Sequence, residues 1–291
     1  MSKKEGMDLE LFDTHAHYND EKFSIDRESV IEAVYNSGVT KLVNAGYSLE
    51  SSKRALEIAE KYSWMYAICG VSPNDIPEEK EEIDRQVEEL KKLISCKQRT
   101  KMVESVDRII ESSKEDANNS RKIVAIGEIG LDYYWNKENK DLQRYAFVKQ
   151  IELANELDLP IVIHTREAVD DTIDILKNQV DVIKKGIFHC CPLNRELVKQ
   201  ALNMGFYISF AGPVTFKNAK NADEIISMVP FDKMVIETDS PYLAPEPHRG
   251  TRNDSRNVYF IAEKIAQVKG VNIENIAKQT YQNAKKIFEI D

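Results

Sequence analysis

Cysteine is scarce in this 291-residue chain: only Cys69, Cys96, Cys190 and Cys191 occur, two of them adjacent and the others far apart. That pattern offers neither a disulfide framework nor a zinc-knuckle spacing, and it fits a reducing, cytoplasmic compartment. No apolar run approaches the ~20 residues a membrane helix needs, so no membrane association is expected. The opening MSKKEGMDLELF is charged and short and lacks the apolar stretch of a signal peptide. No basic localisation cluster stands out, and a nuclear location is open only for a eukaryotic source. An excess of positive charge is missing too. The formal net charge is −9, so the surface as a whole does not attract nucleic acid or anionic lipid. A polyanionic substrate would need metal ions or a small local basic cluster. Phosphate-binding glycine loops are also absent: no GxxxxGKS or GxxxxGKT occurs, and the first predicted strand runs into DTHAHYND without a glycine. That argues against an open, nucleotide-binding doubly wound sheet.

What remains is a well-patterned globule, with 42% hydrophobic and 31% charged residues. Short apolar runs predict strands over Glu10–Asp13, Thr40–Asn44, Met65–Gly70, Ile123–Gly127, Pro160–Ile163, Gly186–Phe188, Phe206–Ser209 and Met234–Glu237. Amphipathic stretches predict helices over Asp26–Ser37, Ser48–Lys61, Glu78–Leu93, Leu142–Leu157, Glu167–Asn178, Asn194–Asn203, Ala219–Met228, Ser255–Val268 and Ile273–Phe288. Alternating strands and helices imply a parallel sheet, and eight such units in this length imply an α/β fold of the (β/α)8 TIM-barrel type. One domain over 1–291 is expected. The interval near 94–121 exceeds an ordinary connection and is read as an extra helical insertion, with a helix over Met102–Ser113 and a solvated loop in SSKEDANNS.

The polar residues cluster at strand ends. Asp13, His15 and His17 follow the first strand; Glu128 and Asp132 the fourth; His164 and Arg166 the fifth; His189 the sixth; Glu237 and Asp239 the eighth. In a barrel these ends share one face. Side chains two apart on an extended segment point the same way, so His15 and His17 can reach one ion, with Asp13 behind them. A lone histidine at a strand end is ordinarily hydrogen-bonded structure. Four of the five histidines so placed, beside carboxylates, point instead to metal. Nitrogen and oxygen donors without thiolate suit a catalytic divalent ion. The set exceeds the needs of one ion; two ions bridged by a carboxylate would use it, and Glu128, in GEIG, is a sensible bridge. Cys190 follows His189 directly, but adjacent side chains point apart, which disfavours a cysteine nucleophile.

The chain resembles the TatD family of metal-dependent deoxyribonucleases, within the amidohydrolase-like barrel superfamily. The resemblance is carried by FDTHAHYND at 12–20, AIGEIGLDYYW at 125–135, PIVIHTREA at 160–168, FHC at 188–190, GFYISFAGPVTFKNA at 205–219 and ETDSPYLAPEPHRGTRN at 237–253. It implies that His15, His17, Glu128 and Asp239 hold one ion and Glu128, His164 and His189 a second. It further implies a 3′–5′ exonuclease acting on single-stranded DNA, and on RNA in some members, with magnesium as the activating ion. Zinc and manganese also suit the donors. Two departures stand out. Ser72, in GVSP, stands where the family usually has histidine, and HCCPLN replaces the usual sequence after His189.

On this reading Asp239 is the base that takes the proton of the attacking water, and Glu128 the shared carboxylate. Arg166 is expected to contact phosphate, with a salt bridge to Glu167 or Asp170 as its structural alternative. His248, Arg249, Arg252 and Asn253 form a local basic patch suited to backbone phosphates. Tyr133, Tyr134, Trp135 and Tyr242 lie in rim loops where aromatic rings stack on unpaired bases or simply pack. DNA, and RNA as a second possibility, is thus the expected partner, with no obligate protein partner and a monomeric chain. A small-molecule amidohydrolase, lactonase or phosphotriesterase-like hydrolase would use the same barrel, and a scaffold that binds metal without turnover is a further alternative.

Overall fold

The computed structural model describes residues 9–111 and 121–290. Eight parallel strands form one sheet in sequence order: β1 (Leu11–Ala16), β2 (Val39–Ala45), β3 (Met65–Cys69), β4 (Ile123–Asp132), β5 (Ile161–Arg166), β6 (Ile187–Phe188), β7 (Tyr207–Phe210) and β8 (Met234–Ile236). A parallel bridge between Ala16 and Ser240 brings the last segment back to β1. The helices between strands are α1 (Arg27–Asn36), α2 (Leu49–Glu60), α3 (Lys80–Glu111), α4 (Lys140–Glu156), α5 (Val169–Asp174), α6 (Arg195–Asn203) and α7 (Ala222–Met228), followed by α8 (Val258–Lys269) and α9 (Ile273–Phe288). This is the (β/α)8 TIM barrel that the alternation implied.

Period-two patterning divides the strand residues between two cores. Phe12, Val43, Tyr66, Ile68, Val124, Val162, Ile187, Tyr207 and Val235 fill the barrel. Their neighbours Leu11, Leu42, Met65, Ile123, Ile161, Phe188, Ile208 and Met234 pack outward against the helices. Helix α9 closes the N-terminal end. Its Phe288 and Tyr281 rings lie 6.1 and 5.7 Å from Phe12, and Asn283 Nδ2 donates to the carbonyls of Phe231 and Met234 at 2.8 and 2.7 Å. The opposite end is left for polar residues.

Three strands run at least three residues further than the apolar runs suggested. β1, β4 and β5 continue to Ala16, Asp132 and Arg166 because parallel ladder bonds do not depend on side-chain polarity; Gly130 still pairs with His164 and Asp132 with Arg166. Asp132 is therefore a strand end and not a loop residue. The expected break after Leu93 is absent: α3 is a single 32-residue helix, and nothing between Ile94 and Lys101 is Gly or Pro. The loop read in SSKEDANNS lies outside the described residues.

Candidate metal centre

The two ends of the chain's barrel are tied together beneath the site. Asp13, buried, accepts from the Thr238 amide at 2.9 Å, the Thr238 hydroxyl at 2.5 Å and the His15 amide at 3.3 Å. The Asp239 amide donates to the His15 carbonyl at 2.9 Å and the His17 amide to the Ser240 carbonyl at 2.6 Å. These bonds hold His15, His17 and Asp239 side by side. The ring nitrogens Nε2 of the two histidines are 3.1 Å apart, and His17 Nε2 is 3.2 Å from Asp239 Oδ1. The other nitrogen of His17 lies 2.9 Å from the Ala45 carbonyl, which fixes its ring.

Glu128 reaches this group from across the barrel. A register shift in β4 between Ile126 and Ile129 places a bulge at that residue, the local device that re-aims a strand side chain. Its two oxygens divide. Oε2 lies 3.5 Å from His15 Nε2 and 3.8 Å from His17 Nε2, while Oε1 lies 2.9 Å from His164 Nδ1 and 3.3 Å from His189 Nε2. His164 Nδ1 and His189 Nε2 are themselves 3.2 Å apart. Each half of the site thus sets two imidazole nitrogens and a carboxylate oxygen against one another. Such lone pairs repel unless a proton or cation sits among them. Two ligands about 2.1 Å from one ion at a tetrahedral angle lie about 3.4 Å apart, which matches these spacings. The residues present fit a divalent cation in each half. His15, His17 and Glu128 form one group of close ligand atoms, and Glu128, His164 and His189 another.

The electrostatics agree. Burial alone would push the Glu128 carboxyl up, but His189, His15 and His164 outweigh it and hold it well below the usual carboxylate range. Burial would lower His189, yet Glu128 and Glu237 drive it well above the ordinary imidazole range. A site this anionic draws positive charge.

Behind the histidines stand two carboxylates that the strand-end pattern placed nearby without giving them a role. Asp132 Oδ2 is 3.0 Å from His164 Nε2. Glu237 Oε1 is 3.2 Å from His189 Nδ1 and accepts the Cys190 amide at 2.5 Å, while its Oε2 accepts the Ser209 hydroxyl at 2.5 Å. Both orient a ring and leave its other nitrogen facing Glu128, the usual arrangement behind metal-bound histidine. The available signal for Asp132 was its even spacing from Glu128, which puts both on one strand face once β4 is known to continue. Glu237 and Asp239, two apart in sequence, face different histidines: Asp239 has φ 57° and turns toward His17, while Glu237 turns to His189.

The peripheral residues fall into different situations. Arg166 has no ion pair to Glu167 or Asp170 among the described residues; its guanidinium lies 3.8 Å from the Tyr134 ring centre and 5.5 Å from that of Trp135. Tyr133 is packed, and its hydroxyl donates to Asp171 at 2.6 Å. Tyr242 sits at the rim, 6.4 Å from the His17 ring, and donates to Asp20 at 2.6 Å. Arg252 is engaged by Asp26 through two bonds of 2.8 and 2.6 Å. Arg249 stacks on Phe216 at 4.1 Å and His248 lies 5.1 Å from Phe260. Ser72 donates to Asp75 at 2.6 Å. Burial and the charges of Asp239 and Glu237 push the Cys190 thiol well above its usual range, which removes it as a thiolate nucleophile.

A closed parallel barrel with histidines and carboxylates converging at its C-terminal mouth is the framework of a metal-dependent hydrolase. The chain belongs to the TatD related DNase family, whose model matches residues 12–289. It is 41% identical over 281 residues to a Bacillus subtilis (strain 168) protein named uncharacterized metal-dependent hydrolase YabD, covering 97% of this chain and 100% of that one. It is 27% identical over 285 residues to the 3′–5′ ssDNA/RNA exonuclease TatD of Shigella flexneri serotype 5b (strain 8401), covering 96% and 99%. The crystal structure of YjjV, a TatD homologue from Escherichia coli K12, superposes with a TM-score of 0.81 at 24% identity over 98% of this chain and 100% of that one, which shows a shared fold. Among the described residues no helix is long and apolar enough to cross a membrane.

Proposed function

We propose that this hydrolase cleaves phosphodiester bonds of single-stranded DNA, and of RNA as a second substrate, from the 3′ end. The observation that carries the reading is the division of Glu128, one oxygen toward His15 and His17 and the other toward His164 and His189. With Asp239 these residues hold two divalent ions, magnesium for activity, with zinc or manganese as the other candidates. Bound there, divalent ions would supply positive charge for the phosphoryl oxygens and lower the pKa of water. In the metal-free protein His17 already holds the Asp239 carboxyl below its usual range despite burial, and as a carboxylate at the site Asp239 is the group that accepts the proton of the attacking water. Arg166 binds a phosphate of the strand. The name of the Shigella relative supports the substrate class.

The test is incubation of purified protein with end-labelled single- and double-stranded DNA and RNA, with magnesium, manganese, zinc or chelator. Metal-dependent release of mononucleotides from the 3′ end is expected. Absence of cleavage under every metal would overturn the reading. Asp239→Asn, with metal content verified, is expected to lower kcat at least 100-fold; unchanged turnover would remove Asp239 as the base.

A further inference from the structure

The two tryptophans of this chain live in different surroundings. Trp64 packs 5.1 Å from Tyr35 and 6.0 Å from Tyr62, below β3. Trp135 follows β4 at the opposite end of the barrel and is 68% exposed, beside Tyr134 at 44%. Their rings stand edge to face, 4.8 Å apart at 85°. Exposed aromatic faces of this size mark contact surfaces more often than chance surface residues. Arg166, the last residue of β5, lies against both rings.

We propose that Trp135 and Tyr134, with the Arg166 guanidinium stacked against them, form a subsite that stacks an unpaired nucleobase while Arg166 takes the adjoining phosphate. The proposal rests on the nuclease reading and names where such a strand is gripped. Three observations support it. The first is chemical. Exposed aromatic rings beside a guanidinium that has no carboxylate partner among the described residues match a ligand that is both aromatic and anionic, and a nucleotide unit is both.

The second is position. A line of contacts runs from the metal centre to the platform: Glu128 Oε1 to His164 Nδ1 at 2.9 Å, His164 Nε2 to Asp132 Oδ2 at 3.0 Å, and Asp132 Oδ1 to the Trp135 amide at 3.0 Å. Asp132 Oδ1 accepts the Tyr134 amide as well, at 2.9 Å. One carboxylate therefore sets both the histidine and the aromatic tip. The third is rigidity. Gln143 clamps the same loop: its Oε1 accepts the Asp132 amide at 2.8 Å, and its Nε2 donates to the carbonyls of Asp132 and Asn136, each at 3.0 Å. Tyr133 plugs inward, so the turn presents its next two rings to solvent. A platform fixed in advance loses little entropy when a base lands on it. Stacking is also tolerant of sequence, as an enzyme that removes every nucleotide in turn requires.

The test uses Trp64→Phe protein, in which Trp135 is the remaining tryptophan, loaded with metal and titrated with a nuclease-resistant phosphorothioate single strand. Quenching of Trp135 fluorescence is expected, and an abasic strand of equal length should quench far less. In kinetics, wild-type enzyme is expected to favour base-bearing over abasic strands in KM about tenfold, from stacking worth ~1.4 kcal/mol. Trp135→Ala loses that preference through KM with kcat held, and Trp135→Phe restores most of it. If single strands are cut but fluorescence does not respond and Trp135→Ala keeps the preference, the subsite is wrong and the nuclease reading stands. If no nucleic acid is bound or cut with any metal, the nuclease reading fails and takes the subsite with it.

Discussion

Asp132 Oδ2 lies 3.0 Å from His164 Nε2, and this contact decides which nitrogen His164 turns toward Glu128. Asn74 Nδ2 reaches the same oxygen at 3.2 Å, and His164 holds the Asp132 carboxyl down at about 2 against the upward push of burial. The carboxylate is thus ionised at any working pH and always present as an acceptor. Asp132→Ala frees the ring to rotate. Affinity for a cation placed among Glu128, His164 and His189, which set their ligand atoms close together, is expected to fall 10- to 100-fold, the usual cost of losing such a partner. Calorimetric titration of chelator-treated protein with zinc or manganese checks it; two unchanged binding steps would show that His164 is oriented by something else.

Loading the metal-free protein is expected to release protons. Burial opposes protonation of His17 and His164, but the carboxylates Asp239 for the one and Asp132 and Glu128 for the other prevail and raise both rings. His189 is raised further, as described above. Raised imidazoles are charged below their shifted values, so near neutral pH a cation must displace protons to bind. Apparent metal affinity then increases with pH until the rings are neutral. Titrations in two buffers of different ionisation enthalpy give different apparent heats if protons leave, and equal heats if they do not.

Arg252 tests a different idea. Its guanidinium meets both oxygens of Asp26 and donates to the Lys22 carbonyl at 2.8 Å, so its charge is already matched inside the molecule. Exposed pairs of this kind add little to stability. Arg252→Ala is expected to leave the melting temperature nearly unchanged and KM for single strands unchanged, whereas Arg166→Ala raises KM and flattens its salt dependence. An equal KM increase in the two variants would return Arg252 to the substrate path.

Much of the fold was readable because burial imposes a period. Val43, Tyr66, Ile68 and Val162 inside, with Leu42, Met65 and Ile161 outside, are a pattern no surface segment needs. Strand limits were less readable. Apolar runs stop where the barrel interior gives way to the polar mouth, while the backbone ladder through His15 and His164 continues, so β1 and β5 read short. The candidate ligands were visible as residue types at strand ends. Their supports were not. Glu237 and Asp132 act through hydrogen bonds 48 and 32 positions along the chain; spacing from Glu128 places Asp132 on the same strand face, but it does not reveal which histidine either carboxylate meets. Nor could sequence separate Tyr133 from Tyr134, two adjacent tyrosines of which one plugs the loop and the other faces solvent.

Gly130 is where strand packing and site geometry meet. It adopts φ +138°, and a Cβ there would lie 2.0 Å from the His164 carbonyl oxygen. The neighbour is backbone, held in the β4–β5 ladder by the pairing of Gly130 with His164 itself. A methyl group therefore cannot be accommodated by turning a side chain; the two strands must part. Gly130 lies midway between Glu128 and Asp132, which contact the two nitrogens of His164, so parting β4 from β5 disturbs both contacts together. Gly130→Ala is expected to destabilise the fold by about 3 kcal/mol, from strained backbone and lost ladder bonds. In the fraction that remains folded, metal affinity should fall with it. Thermal melts with and without added zinc separate the two effects: zinc raises the melting temperature of the wild type by mass action, and the variant gains less. A variant that melts like the wild type and gains equally from zinc would show that the close approach of β4 to β5 is not what fixes His164.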